Sequence, residues 1–84
     1  MTYTVEIKRS AEKEMDSLPR EVHRRVTAKI LGLESNPRPA GIRKLQGTEG
    51  YRLRVSDYRV LYTVDDRLRS VVIYGVAHRR EAYR

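Results

Sequence analysis

The sequence predicts an α+β fold of two layers, in which a helical hairpin covers one face of a mainly antiparallel sheet. Apolar and polar residues alternate near the start of the chain and again from Tyr51 to Val64, which is typical of strands with one buried face. Between these segments, apolar residues recur every three or four positions, as in amphipathic helices. The expected order is an N-terminal strand, two helices, and then three or four strands whose second face is open and basic.

The first part of the chain predicts one strand and two helices. Alternating apolar residues from Tyr3 to Ile7 predict a strand that ends near Arg9. Ser10 is a candidate N-cap for a short helix, and Pro19 suits the first position of a second one. The apolar residues of that second helix form one stripe, which is expected to lie on the sheet: Val22, Val26, Ile30 and Leu33.

The remaining strands follow a loop at residues 34–41, which is marked by two prolines, an asparagine and a glycine. Ile42 to Gln46 alternates as a short strand would. The next two strands are expected to form a hairpin around Ser56 and Asp57, and Asp65 to Arg67 predicts the turn that follows it. From Ser70 to Ala77 the chain is almost continuously apolar, as expected of a strand that is buried on both faces.

The predicted hairpin carries three arginines on its open face. Arg52 and Arg54 alternate with the apolar residues of the first strand, and Arg59 does so in the second. Like charges on neighbouring strands repel each other, so a purely structural sheet has no need of them. Guanidinium groups bind phosphate in a planar, bidentate manner. The three positions are therefore candidates for an anion site.

Length and composition predict one small domain over residues 1–84, which is expected to be marginally stable or to gain stability from a partner. Eighteen Lys and Arg against eleven Asp and Glu give a net charge of +7, which indicates a nucleic acid or an acidic protein as partner. The absence of cysteine fits a reducing compartment. The chain starts without a signal-peptide pattern and its apolar runs are too short for a membrane span, so we expect a cytoplasmic protein.

The polar residues argue against several classes of enzyme. His23 and His78 are isolated from each other, and no Asp, Glu and His cluster has the spacing of metal ligands. We therefore expect neither a metal ion nor a cofactor. Cleavage of RNA by its own 2′-hydroxyl needs only alignment, charge stabilisation and the transfer of two protons. Arginine stays protonated, so His78 is the candidate proton carrier, and Tyr83 can stack on a base or donate a hydrogen bond.

The same residues also have a purely structural interpretation. His78 and Arg79 could form a solvated tail after the last strand, and Tyr83 could tether it. Arg52 or Arg54 could be ordinary surface charges.

Two segments together resemble the RelE branch of the RelE/ParE toxin superfamily: GYRLRVSDYRVLY at residues 50–62 and AHRREAYR at residues 77–84. The similarity extends to the opening strand, the LP break between the helices, the NP-containing loop and the KL-G segment before the hairpin. The resemblance implies a small α+β toxin that enters the ribosomal A site and cleaves mRNA there without a metal ion, leaving a 2′,3′-cyclic phosphate. It also implies an acidic, RelB-like antitoxin, which could form a heterotetramer with the toxin.

The resemblance implies roles for individual residues. Arg52 and Arg54 match the basic pair of the family, and Arg59 matches its transition-state-stabilising arginine. Arg79 matches the arginine assigned to phosphate contact or leaving-group protonation, and Tyr83 matches the tyrosine that orients or stacks the nucleotide.

The chain departs from the family at Arg54, where relatives have a lysine that is proposed as general base. Arginine is a worse base by several pKa units, so His78, at a position where a basic residue is common, gains weight as proton carrier. The candidate catalytic residues are Arg54, Arg59, His78, Arg79 and Tyr83, and the candidate RNA-binding residues are Arg52, Lys44 and Arg80.

Three hypotheses for function remain open. The favoured one is a ribosome-dependent endoribonuclease toxin. The second is a ParE-like toxin that inhibits DNA gyrase and cleaves nothing, although such toxins lack the full set of Arg59, Arg79 and Tyr83. The third is an inactive or merely RNA-binding module.

Overall fold

The computed structural model describes residues 2–45 and 50–78 and confirms the α+β class. Two helices lie on one face of a five-stranded sheet whose spatial order is β1-β5-β4-β3-β2. Neither helix is long and apolar enough to cross a membrane. In chain order the elements are β1 (Thr4–Ile7), α1 (Arg9–Asp16), α2 (Arg20–Gly32), β2 (Arg43–Lys44), β3 (Gly50–Val55), β4 (Tyr58–Asp65) and β5 (Ser70–His78).

The N-terminal strand joins the sheet through parallel pairing with β5. Val5 lies opposite Val71 and Ile7 lies opposite Ile73, whereas every other strand pair is antiparallel. The alternation of β1 predicted a strand but carried no information about its partner. The sheet therefore has five strands, because β1 adds to the four that follow the helices.

The helices start differently from the prediction. Lys8 is the N-cap of α1 and makes no side-chain capping bond, so Ser10 lies within the first turn and the predicted cap is wrong. Pro19 is the N-cap of α2, with φ −54° and ψ 146°, and Arg20 is the first helical residue. The apolar stripe of α2 is confirmed: Val22 is half-buried, and Val26, Ile30 and Leu33 are buried.

The core lies between the helices and the inner face of the sheet. Its largest fully buried side chains include Tyr62, Leu33, Ile73 and Val26. The Tyr62 hydroxyl donates a hydrogen bond of 2.8 Å to the carbonyl oxygen of Pro37, and burial raises the pKa of Tyr62 to about 12. This bond satisfies the one polar atom of a buried ring and attaches the loop between α2 and β2 to the core.

The strands after the loop agree with the prediction in position but not in every detail. The short strand predicted from Ile42 to Gln46 is confined to Arg43–Lys44, and Gln46 lies outside the described residues. The β3–β4 hairpin turns at Ser56 and Asp57 as predicted.

The last strand is not buried on both faces as the apolar run predicted. Val71 and Ile73 are buried against the helices, but Val72 on the opposite face is only half-buried because no second layer covers it. Leu61 pairs with Gly75 and Tyr62 pairs with Ile73, so Tyr74 is an extra residue that forms a bulge.

Candidate active site

Four arginines lie on the face of the sheet that the helices leave open. The register pairs Arg54 of β3 with Arg59 of β4, and Arg52 of β3 with Arg43 of β2. Residues directly opposite in antiparallel strands project to the same side, and Leu53 and Val55 project to the helix side instead. Together with Gly41, the four arginines line a cavity of about 550 Å³.

Arg59 lies at the centre of this face and is buried, with a relative exposure of 8%. Its Nη1 donates a hydrogen bond of 3.2 Å to the carbonyl oxygen of Tyr58. Within residues 2–45 and 50–78, no carboxylate forms an ion pair with Arg43, Arg54 or Arg59. A buried guanidinium without a counter-charge is costly, and the cost falls when an anion binds beside it.

Arg54 stands directly opposite Arg59 and is exposed. Its Nε donates a weak bond of 3.4 Å to the carbonyl oxygen of Ser56 in the hairpin turn. Two like charges at directly opposed positions destabilise a sheet. The pair is therefore suited to share an anion between the two guanidinium groups.

Lys44 does not join the arginines. It pairs with Tyr51, so it projects to the opposite side of the sheet from its neighbour Arg43. There it lines a separate cavity of about 390 Å³ together with Arg38 and Asp66. The predicted RNA contact of Lys44 thus finds no support in its position.

His78 also lies on the other side of the sheet from Arg59. It pairs with Tyr58, whose ring it meets edge-on at 5.3 Å between centroids, and it lines a cavity with Glu14 and Leu18 of the helical layer. The bulge at Tyr74 is the reason, because one extra residue reverses which side chains of a strand face the core. This placement gives no support to the proposal that His78 moves a proton at the arginines.

The other predicted site residues lie outside the part of the chain that the structure describes. These are Arg79, Arg80 and Tyr83. Within the described part, no three His, Asp or Glu side chains come together as a metal site.

Arg43 is a site residue that the sequence pattern did not single out. The alternation from Ile42 onward predicted that Arg43 and Lys44 project to opposite faces of the strand. The position of Arg43 beside Arg52, however, depends on the register between β2 and β3. That register is a property of the connection between the strands and not of the local pattern.

A second feature that no motif indicated is a cluster of hydrogen bonds and one ion pair around Asp66, here called the ionic clasp. Asp66 accepts hydrogen bonds of 3.0 and 2.9 Å from Arg38 and one of 2.6 Å from the Tyr3 hydroxyl. Arg38 also donates a bond of 2.9 Å to the Tyr51 hydroxyl. The hydrogen bonds from Arg38, and then that from Tyr3, lower the pKa of Asp66 to about 2. The clasp joins the α2–β2 loop to the β4–β5 turn and to the start of β1.

The open face with its four arginines, here called the arginine face, can bind phosphate and can stabilise negative charge that develops on the phosphate. It cannot by itself accept a proton, because guanidinium groups stay protonated in proteins. The described residues thus provide charge and position, and proton transfer requires a further group.

Comparisons with known proteins agree with this architecture. The family model described as the ParE toxin of type II toxin–antitoxin system, parDE, matches residues 5–83. Toxin RelG of Mycobacterium tuberculosis is 35% identical over 88 residues, which cover 100% of this chain and 99% of RelG.

Two solved structures are similar over almost the whole chain. One is the archaeal RelE–RelB complex from Pyrococcus horikoshii, with a TM-score of 0.86, 34% identity and coverage of 96% of this chain and 99% of that one. The other is the toxin–antitoxin complex RelBE2 from Mycobacterium tuberculosis, with a TM-score of 0.82, 27% identity and coverage of 93% and 99%. This chain belongs to the RelE-type toxins of the RelE/ParE superfamily, whose members act in type II toxin–antitoxin systems.

Proposed function

We propose that this toxin is a ribosome-dependent endoribonuclease that cleaves mRNA in the A site without a metal ion. The observation that carries the proposal is Arg59, a buried guanidinium that stands opposite Arg54 and forms no ion pair with the described residues. A toxin that only covered a partner's surface would gain nothing from a charge held in this way. A phosphate placed between Arg54 and Arg59 would supply the missing counter-charge.

In the proposed reaction, the 2′-oxygen of the nucleotide attacks the adjacent phosphorus and the bond from phosphorus to the 5′-oxygen breaks. The products are a 2′,3′-cyclic phosphate and a 5′-hydroxyl end. Arg59 stabilises the negative charge on the non-bridging oxygens, Arg54 holds the phosphate in line with the attacking oxygen, and Arg52 helps to position the RNA strand. Loss of one such donor typically lowers a rate by a factor of about 10² to 10³.

Two protons move in this reaction, one from the 2′-hydroxyl and one to the 5′-oxygen. From the family resemblance we propose Arg79 for phosphate contact or for protonation of the leaving group, Tyr83 for orientation of the nucleotide, and Arg80 for RNA binding. The proton of the 2′-hydroxyl passes to water or to a ribosomal group, because Arg54 is a poor acceptor and His78 faces the helices.

The test is to express the toxin in a translating extract and to map mRNA ends by primer extension. Wild type is expected to produce ends within codons, and only on translated mRNA. Arg59→Ala is expected to produce none and to lose growth arrest, while circular dichroism shows a retained fold. Arg20→Gln removes one exposed charge at the start of α2 and serves as the control that keeps activity. Full toxicity of a folded Arg59→Ala variant would contradict the proposal.

A second candidate function is inhibition of DNA gyrase. It is favoured by one observation, which is that the matching family model is described as the ParE toxin. A supercoiling assay with the purified toxin separates the two candidates. Inhibited supercoiling together with intact mRNA would support the second candidate and overturn the first.

We further propose that an acidic, RelB-like antitoxin neutralises this toxin in the cytoplasm, as one heterotetramer of two copies of each. Two of the solved structures similar to this chain are a complex of RelE with RelB and a complex of a toxin with its antitoxin. An acidic segment would neutralise the exposed arginines and would stabilise a small core by binding only its folded state. Co-expression with the product of a neighbouring acidic reading frame, followed by light scattering of the purified complex, tests both the partner and the stoichiometry.

A further inference from the structure

The open face of the sheet carries two pairs of arginines. In the proposed cleavage, only one of these pairs holds the phosphate that is cleaved. The pair formed by Arg54 and Arg59 would hold the phosphate that is cleaved. The other pair consists of Arg43 on the edge strand β2 and Arg52 on β3. Nothing in the proposed chemistry requires Arg43.

Arg43 is brought to the arginine face by the way the chain enters β2. Gly41 has a φ of +89°, in the left-handed region that favours glycine, and it lines the same cavity as the arginines. The strand that follows is only two residues long, so Arg43 projects into the cavity and Lys44 projects to the other side. Arg43 is exposed and forms no ion pair with the described residues.

The two pairs lie close together on the open face of the sheet. Arg52 and Arg54 are two residues apart on β3, which separates them by about 6.6 Å along the strand. The pairs are also offset by one strand spacing, or about 4.8 Å, because Arg43 and Arg59 lie on opposite sides of β3. These separations are comparable to the distance between successive phosphates of an extended RNA strand. Both pairs line a single cavity of about 550 Å³, so one ligand can contact them together.

We propose that Arg43 and Arg52 form a second phosphate subsite, so that the arginine face binds two successive phosphates of one RNA strand. The inference rests on the proposed function, since it takes RNA as the ligand. Arg43 is a binding residue, and its role is to set the position of the strand so that the phosphate at Arg54 and Arg59 is the one cleaved. An acidic protein segment is the competing ligand, but its carboxylates are not held at the regular spacing that a sugar–phosphate backbone imposes.

The test is a double-mutant cycle between the protein and the RNA. The probe is a short 2′-O-methyl RNA, which binds but cannot be cleaved, and the second probe has the neighbouring phosphodiester replaced by an uncharged methylphosphonate. Purified toxin and its Arg43→Gln variant are titrated with both probes. Wild type is expected to bind the neutral probe about tenfold more weakly than the charged one, and Arg43→Gln is expected to lose about the same factor on the charged probe.

The decisive quantity is the difference between the affinity that Arg43→Gln loses on the charged probe and the affinity that it loses on the neutral probe. If Arg43 contacts that phosphate, Arg43→Gln loses little further affinity on the neutral probe, and the salt dependence of log K on the charged probe falls by about 0.7. Equal losses on both probes, as a merely general charge effect would give, overturn the subsite. Arg20→Gln is the matched control, because it removes the same charge from the helical layer.

Three further outcomes relate this inference to the proposed function. Wild-type toxin that binds neither probe overturns the subsite, while the proposed function, in which cleavage needs the ribosome, is tested separately by the mRNA ends in the translating extract. Wild type that cleaves translated mRNA while Arg43→Gln keeps full affinity overturns the subsite alone. A loss that Arg43→Gln shows only towards an acidic antitoxin peptide assigns Arg43 to protein binding and also overturns it.

Discussion

Arg59 combines a cost in stability with a proposed gain in function. Its guanidinium is buried without a carboxylate partner among the described residues, and it donates a hydrogen bond to the backbone carbonyl of Tyr58. Alternation within β4 was enough to predict that Arg59 shares a face with Arg52 and Arg54, because side-chain direction in a regular strand depends only on local phase. Its burial was not predictable, since burial depends on neighbouring strands.

Replacing Arg59 by methionine is therefore expected to stabilise the fold while it abolishes cleavage. A side chain of similar length without charge removes the cost of burying a guanidinium that has no carboxylate partner among the described residues, so the free energy of unfolding is expected to rise by about 1–2 kcal/mol. Urea denaturation measures the change, with Arg20→Met as control. A decrease in the free energy of unfolding for Arg59→Met would show that the guanidinium has a structural role.

Arg54 stands where the family resemblance implies a lysine, and substitution by lysine tests what the difference does. Lysine keeps the positive charge but has an ordinary pKa of about 10.4, so a fraction of it can accept a proton as the pH rises. The cleavage rate of Arg54→Lys is expected to increase more steeply between pH 7 and pH 9 than that of wild type. Single-turnover cleavage on ribosomes gives both profiles. Arg52→Lys is the control, and parallel profiles for Arg54→Lys and wild type would contradict the expectation.

His78 shows where local patterns fail. The alternation of β5 is interrupted by the bulge at Tyr74, so residues after the bulge exchange faces. A bulge depends on the partner strand and leaves no mark in an apolar run. The sequence therefore predicted the strand, but local alternation could not indicate which side of the sheet His78 occupies.

At the scale of elements, the ionic clasp holds a loop that borders the arginine face. Arg38 and Asp66 link the α2–β2 loop to the β4–β5 turn, and the same loop ends in Gly41 beside the arginines. The two residues are distant in sequence and belong to no motif. The clasp could not be predicted, because it requires the complete fold to bring two turns together.

The clasp predicts a specific dependence of stability on pH. The pKa of Asp66 is about 2 in the folded protein and about 3.9 in an unfolded chain, so its contribution is complete above about pH 4 and is lost as the pH falls towards about 2. Asp66→Asn is expected to be less stable than wild type at pH 7 and to lose less stability between pH 4 and pH 2. Urea midpoints measured across this range test it. Asp16→Asn, on α1, is the control, and an identical acid transition for Asp66→Asn and wild type would count against the clasp.

Two glycines predict opposite effects of the same substitution. Gly41 has a φ of +89°, so alanine there is strained, and Gly41→Ala is expected to lower the free energy of unfolding by about 1–2 kcal/mol. Gly32 is the last residue of α2 and has open space around it, so Gly32→Ala is expected to raise that free energy by about 0.5 kcal/mol. Thermal denaturation compares both variants. Equal stabilities for the two variants would contradict the expected strain at position 41. Gly41→Ala is also expected to weaken RNA binding, since Gly41 positions β2.

At the scale of the whole molecule, a net charge of +7 on 84 residues makes self-repulsion a general term in stability. Salt of any kind is expected to stabilise the fold by screening, and phosphate is expected to stabilise it further by binding at the arginines. At equal ionic strength, the melting temperature in phosphate is expected to exceed that in chloride by about 4–8 °C, which corresponds to about 1 kcal/mol for a domain of this size. Differential scanning fluorimetry measures the shift. Arg59→Met is expected to lose most of the difference, and a wild-type shift that is the same in both salts would refute a built anion site.

The arrangement of the helical layer on the sheet was predictable from the sequence, whereas the pairing between distant strands was not. Periods of two and of 3.6 residues are local, so they gave the strands, the apolar stripe of α2 and its contact with the sheet. The pairing of β1 with β5 and the pairing of Arg43 with Arg52 depend on register between distant segments. Tertiary geometry thus decided which basic residues meet.

The parallel pairing of β1 with β5 has a consequence for how the protein is made. β1 is synthesised first, but its partner Ser70–His78 leaves the ribosome only after both helices and the hairpin. Until then, Val5 and Ile7 have no strand to pair with, and α1 lacks the strand on which it packs. Contacts between segments so far apart in the chain form slowly, because a long loop must be closed before they are gained. The sheet therefore forms only after β5 has been synthesised, which leaves an interval in which a partner can bind the nascent chain before the sheet is assembled.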